Sequence, residues 1–294
     1  MKFMRWVDRR GWFFPLCAVL VSTLSLLTVG RWLLRQLDDS APTAIFLLEA
    51  VFLAAAAAAC VLVPWMLGQY LRQSCAVKEL IAATSQSAQA CDPEILVDTC
   101  RDLQSAWARG PWRAVNMAVQ LALATALQDL GRIREGEQEL DRLLPVYEHG
   151  SMNVKLSIEV TAVAVKLRAG KESDARSYLA ELEQHLGSRD FGQGQAALEN
   201  VRSFFRLMTE GGSEELLAQY QKMLESTTSP VGKAAAHMDI ARCLLELDRR
   251  EEALPHLQFV VDHGGKLAIR AEAQARLAES ENAARERYSG GSQA

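Results

Sequence analysis

The chain has 294 residues, a formal net charge of −4 and 23% charged residues. No lysine and arginine stripe with interleaved aromatics occurs, which excludes the usual electrostatic footprint of a nucleic-acid binder. The six cysteines, Cys17, Cys60, Cys75, Cys91, Cys100 and Cys243, are scattered without a C-x-x-C pair or a cysteine and histidine cluster, so neither a zinc site nor a disulfide framework is indicated.

The charges avoid two stretches. Gly11 to Gly30 and Ala50 to Leu67 contain no Asp, Glu, Lys or Arg. A helix rises about 1.5 Å per residue and needs roughly 20 apolar residues to cross a hydrocarbon core about 30 Å thick. The sequence therefore predicts two transmembrane helices, at about 11–30 and 44–68, in a membrane anchor over residues 1–70. Lys2, Arg5, Arg9 and Arg10 precede the first run, whereas Arg31 and Arg35 in the connector are balanced by Asp38 and Asp39. Cationic excess marks the cytoplasmic side, which puts both termini inside a bacterial-type inner or plasma membrane and the connector outside. Trp6, Trp12, Trp32, Trp65 and Tyr70 sit where amphipathic rings anchor to the interface. A signal peptide shares the basic start and apolar core, but no small-x-small cleavage site follows and a second run comes directly after. Glu49, the acid at the start of the second run, has two readings: a functional intramembrane carboxylate, or an interfacial partner for Arg31 and Arg35.

Residues 71–91 read as a stalk or linker. Asp92, Pro93 and Glu94 then have the order of a helix start, with a capping acid and proline in the first turn. From Asp92 to 287 the pattern is consecutive helices broken by Gly, Pro or Asp turns, with no strand-like alternation. The expected fold class is all-α: two N-terminal transmembrane helices followed by an α-solenoid of helix pairs. Residues 288–294 form a Gly and Ser tail expected to be disordered.

The helix pairs are self-similar. In the segment from Leu121 to Gly136, Ala124 stands seven positions before the turn at Gly131 and Gly136 five after it, followed by Leu140, Leu143 and Leu144. In the segment from Ile240 to Ala253, Ala241 and Ala253 hold the same places around Asp248, followed by Leu257, Val260 and Val261. Small residues at these places let the paired helices cross closely. Two middle copies are weaker: one turns at Gly170 and keeps Ala175 but has Val163 in the first small position, and the other turns at Gly211 with Phe204, Phe205 and Leu216 where small residues are expected. On these residues the sequence from about Val115 to Gly264 resembles the tetratricopeptide repeat family. Turn spacings of 39, 41 and 37, by subtraction from these positions, exceed the family's usual 34. A last helix from about Lys266 to Arg285, with Leu267, Ile269, Ala273 and Leu277 on its apolar side, is expected to cap the array. Two spans ahead of such repeats are also similar in layout to HemY-like membrane proteins.

The resemblance implies a concave groove lined by the first helix of each pair, holding a segment of a partner protein. Counting back from each turn, the candidate groove residues are Leu121, Thr125 and Gln128; then Val160, Ala164 and Leu167; then Val201, Phe205 and Met208; then Met238, Arg242 and Leu245. For the phenylalanine and the valines, core packing is the competing reading. The lysine and asparagine clamp that the family uses for a C-terminal carboxylate is missing, so the groove is expected to take an apolar or amphipathic segment.

No catalytic constellation emerges. His149, His185, His237, His256 and His263 lack a recurring partner spacing, and His149 and His263 fall near predicted helix ends, where an imidazole meets terminal carbonyls. The Gly192 to Gly194 and Gly211 to Gly212 glycines do not follow strands and are not phosphate loops. The expectation is a non-enzymatic membrane-anchored adaptor or scaffold, with a protein partner in the groove and the bilayer around the spans. No metal, no cofactor, no nucleic acid and no small-molecule substrate are expected. The alternatives are a HemY-like membrane protein or an accessory subunit of a membrane enzyme or transporter.

Overall fold

The computed structural model describes residues 68, 70–107, 113–147, 152–187 and 192–290. Every regular element among them is an α-helix, as the missing strand alternation required. The expected spans lie outside the described residues apart from Gly68, and no helix among the described residues is long and apolar enough to cross a membrane.

The chain divides into two compact units, residues 1–78 and 79–294. Of the first, residues 68 and 70–78 are described and helical. The second opens with helical residues 79–90 (α1), so it begins inside the segment expected to be a stalk. There follow α2 (Pro93–Trp107), α3 (Arg113–Asp129), α4 (Ile133–Tyr147), α5 (Met152–Arg168), α6 (Glu172–Gly187), α7 (Gly192–Thr209), α8 (Glu214–Ser226), α9 (Pro230–Glu246), α10 (Arg250–His263) and α11 (Ala268–Gly290). Asp92 caps α2 by accepting from the Glu94 N–H at 3.1 Å, as its position before Pro93 suggested.

Three of the four repeat turns share one hydrogen-bond pattern. Gly131 N–H donates to Gln128 O and Arg132 N–H to Leu127 O; Gly170 and Lys171 donate likewise to Leu167 and Lys166, and Asp248 and Arg249 to Leu245 and Leu244. This is the Schellman closure, which needs its next-to-last residue in the left-handed region. Gly131, Gly170 and Asp248 have φ of 76°, 73° and 57°. Asp248 shows that a short polar side chain tolerates the place that glycine fills elsewhere.

Small residues then set the crossing distance. A Cβ on Gly136 would lie 3.0 Å from the Ala124 carbonyl, so α3 and α4 touch backbone to backbone. Ala241 and Ala253 are fully buried in one core cluster with Leu257 and Val260, which gives α9 and α10 the same seam. The pairs α3–α4, α5–α6 and α9–α10 pack intimately. By contrast, α7 packs chiefly on α5 and α6 while α8 packs on α9. This pair carries Phe204, Phe205 and Leu216 where the others have small side chains, and bulky residues hold helices apart.

Ile269, Ala273 and Leu277 of α11 pack on the core of α9 and α10 in the capping role expected of them. Helix α11 continues to Gly290 and takes in the first residues of the expected tail. The turn before it reaches back to the start of the array. Lys266 N–H donates to Cys91 O at 2.8 Å, and its ammonium meets Asp92 at 2.9 Å and Glu94 at 2.5 Å. A Cβ on Gly265 would lie 2.4 Å from the Cys91 carbonyl, and one on Gly131 would lie 3.0 Å from Ala268 Cβ. Within this unit the last helix therefore touches the first repeat.

Candidate partner-binding cavity

Beside that contact lies an open cavity of about 420 Å³ on the side of the alternate helices α3, α5, α7, α9 and α11. Gln128 comes from α3, Arg168 from the last position of α5, Leu207 and Met208 from α7, Arg242 and Glu246 from α9, and Ile269, Glu272 and Arg276 from α11. These are the first helices of the pairs plus the last helix.

Among the described residues, one of the cavity's three arginines is held in ion pairs and two are not. Arg242 is held by Asp239 at 2.8 Å and takes Glu272 bidentately, at 3.1 and 2.6 Å. Burial pushes the Asp239 carboxyl above the usual range while Arg242 opposes it. Arg168 has no such partner. Its guanidinium makes one long bond of 3.5 Å to Gln128 O and stands 5.7 Å from the Phe204 ring centre, and it has no carboxylate within 4.0 Å among the described residues. The nearby Asp129 lies outside that range; burial pushes its carboxyl up to about 6, opposed by Arg168. An acid at the C-terminal end of α3 also faces the negative end of the helix dipole. Arg276 likewise pairs with no carboxylate among the described residues.

A second cleft of about 560 Å³ shares Ile133 and Arg168 and is lined further by Glu137, Asp141 and Lys171. Its lysine and acids are paired: Lys171 meets Glu137 at 2.5 Å, and the neighbouring Lys166 meets Glu137 at 2.7 Å and Asp141 at 3.1 Å.

Of the candidate groove residues, Gln128, Met208 and Arg242 line the first cavity together. Thr125 is exposed and donates its hydroxyl to Leu121 O, and Leu121 packs beside the core under α4 and α5. Leu245 is half-buried against the core of α9 and α10. Phe205 and Met238, expected as exposed groove residues, are core side chains at 5% and 0% exposure. Leu167 and Val201 lie in the same core as Phe205 with Val160 against it, and Ala164 is half-buried. The ring of Phe205 fills the core between α5, α6 and α7 instead. Arg168, Leu207, Glu272 and Arg276 were missed. An arginine closing an inner helix, two positions before the turn glycine, was the available signal for Arg168.

His237 and His256 pack against each other. His237 Nδ1 lies 2.8 Å from His256 Nδ1, and the His237 ring stacks on Phe259, which stacks on His263. Burial lowers the His237 pKa to about 4, with His256 adding repulsion. His263 donates to the Phe259 carbonyl, as expected at a helix end. Glu159, fully buried, accepts from the Tyr147 hydroxyl and pairs with His185 at 2.7 Å, an arrangement that the sequence spacing does not reveal. Among the described residues no group of three or more metal-ligating side chains comes together. His149 lies outside the described residues.

No family model matches the chain, and no curated protein or solved structure matches it.

Proposed function

We propose that the chain is a membrane-anchored adaptor whose helical unit holds a segment of a partner protein in the cavity between α3, α5, α7, α9 and α11. The observation that carries this reading is convergence. Three residues picked as groove positions from three separate repeats, Gln128, Met208 and Arg242, meet in one cavity with side chains from α5 and α11. The cavity mixes apolar side chains, Leu207, Met208 and Ile269, with charged ones, Arg168, Arg242, Glu246, Glu272 and Arg276, and converging polar groups in a concave site are what orient a ligand. The two apolar runs supply the anchor, and the charge asymmetry around them places the unit on the cytoplasmic face. Helices provide the cavity with rigid walls, and no nucleophile and base pair lines it, which favours holding over catalysis.

The test is direct binding. The purified full-length chain in detergent is titrated against a panel of short fluorescein-labelled peptides, followed by anisotropy. Saturable binding by the parent that is weakened in Met208→Ser, with unchanged melting, is the expected result. A panel with no saturable binder, or binders indifferent to Met208, contradicts the reading.

A further inference from the structure

We infer that the cavity recognises a carboxylate on the captured segment, received by the guanidinium of Arg168, with Arg276 lining the same cavity. The inference rests on the segment-holding reading above and names the chemistry of its ligand.

The argument is one of unused donors. A guanidinium presents five N–H donors in a planar fork suited to a carboxylate. Those of Arg242 are engaged by Asp239 and Glu272, and the lysines of the neighbouring cleft by Glu137 and Asp141. Arg168 alone among these interior cations makes one long bond to a carbonyl and faces a ring. It is partly withdrawn from water, and burial accordingly lowers its pKa. A half-buried guanidinium with most of its donors unfilled is costly to maintain. An incoming carboxylate would fill two of its donors at once.

Arg242 opposes the charge of Arg168, while Asp129, Asp239 and Glu272 favour it from beyond 4.0 Å without occupying its donors. Leu207, Met208 and Ile269 give the adjoining wall an apolar character. The fitting ligand is therefore a peptide carrying a carboxylate next to an apolar side chain. That carboxylate comes from an acidic side chain or from a chain end.

Three fluorescein-labelled peptides of one shared leucine- and valine-rich sequence test this on the full-length chain in detergent. One carries a single glutamate and an amidated end, one has a free C-terminal carboxylate and no acid, and one has neither. Either of the first two is expected to bind about tenfold tighter than the third, because a charge-assisted bond contributes about that factor. The peptide that gains identifies the source of the carboxylate. Arg168→Gln should erase the preference, Arg168→Lys should keep part of it, and Arg276→Gln should reduce it several-fold, all with parent-like melting. If the three peptides bind alike, and Met208→Ser weakens all three, the segment-holding reading stands and the carboxylate inference falls. Displacement of the preferred peptide by inorganic phosphate at equal concentration would show a general anion site and also overturns it. If none of the three binds, the holding reading itself fails.

Discussion

Phe205 and Met208 are three residues apart on α7, yet the structure gives them opposite jobs. Phe205 is 5% exposed, sits in a core cluster with Val163, Leu182, Leu186 and Leu198, and has the Arg176 guanidinium 5.1 Å from its ring centre. Met208 is 43% exposed and lines the cavity. Truncating a buried phenylalanine to alanine removes its transfer free energy and leaves a void, together about 3–5 kcal/mol. In a unit of this size each kcal/mol moves the melting temperature by about 2–4 °C, so Phe205→Ala should melt about 6–20 °C below the parent. Met208→Ala removes atoms already half in water and should shift melting by less than about 2 °C, within the usual range for surface substitutions of about 0.5 kcal/mol. Thermal unfolding of the full-length chain in detergent, followed by helical circular dichroism, reads both. In the peptide titration the order reverses, with Met208→Ala weakening capture. Parent-like melting of Phe205→Ala, or an equal loss from Met208→Ala, refutes the assignment of core and cavity faces on α7.

The repeat turns give a graded series in the same melting assay. Gly170→Ala meets no neighbour and should cost only the left-handed strain of about 1–2 kcal/mol, whereas Gly131→Ala also presses on Ala268 Cβ at 3.0 Å and should cost more. Asp248→Gly relieves that strain and should be neutral or gain up to about 1 kcal/mol. Two buried groups couple stability to pH with opposite signs. His237, with a folded pKa of about 4 against an ordinary 6.5, binds fewer protons folded than unfolded, so its contribution is present above pH 6.5 and lost as pH falls towards 4. Asp129, raised to about 6 from 3.8, binds more protons folded, so its contribution is present at pH 4 and lost as pH rises through 6. Denaturant melts between pH 4 and 7 should accordingly lose the first slope in His237→Gln and the second in Asp129→Asn; unchanged slopes reject those environments. For topology, single cysteines placed between Asp38 and Thr43 in a cysteine-free chain should react with a membrane-impermeant thiol reagent in intact cells, while cysteines placed after Gly150 should not; the converse labelling inverts the orientation.

The repeat architecture was legible because each of its devices is local. A glycine or aspartate at the turn and small residues seven before and five after it are visible one helix at a time, and Gly131, Gly170, Asp248, Ala241 and Ala253 all occupy the geometry those positions imply. Groove residues were legible only in part. Counting back from a turn assumes that every pair crosses alike, and the pair of α7 and α8 does not: with phenylalanines in place of small residues it opens, and Phe205 rotates into the core. Met238 fails for a related reason, since its place lies deep in the seam of α9, far from the turn. Arg168 and Arg276 became visible only when α11 folded back across the first repeat. That return depends on Gly265, Lys266 and Cys91, contacts between residues far apart in the chain that no periodicity announces.

A photo-crosslinking amino acid placed at Met208, compared with the same group at the exposed Gln221 on α8, tests the central claim most directly. In cells expressing the full-length chain, illumination should give discrete adducts from position 208 and none from position 221, and the adducts should weaken when Arg168 is changed to Gln. Equal labelling from both positions, or none from the cavity, contradicts an adaptor that holds its partner between α3, α5, α7, α9 and α11.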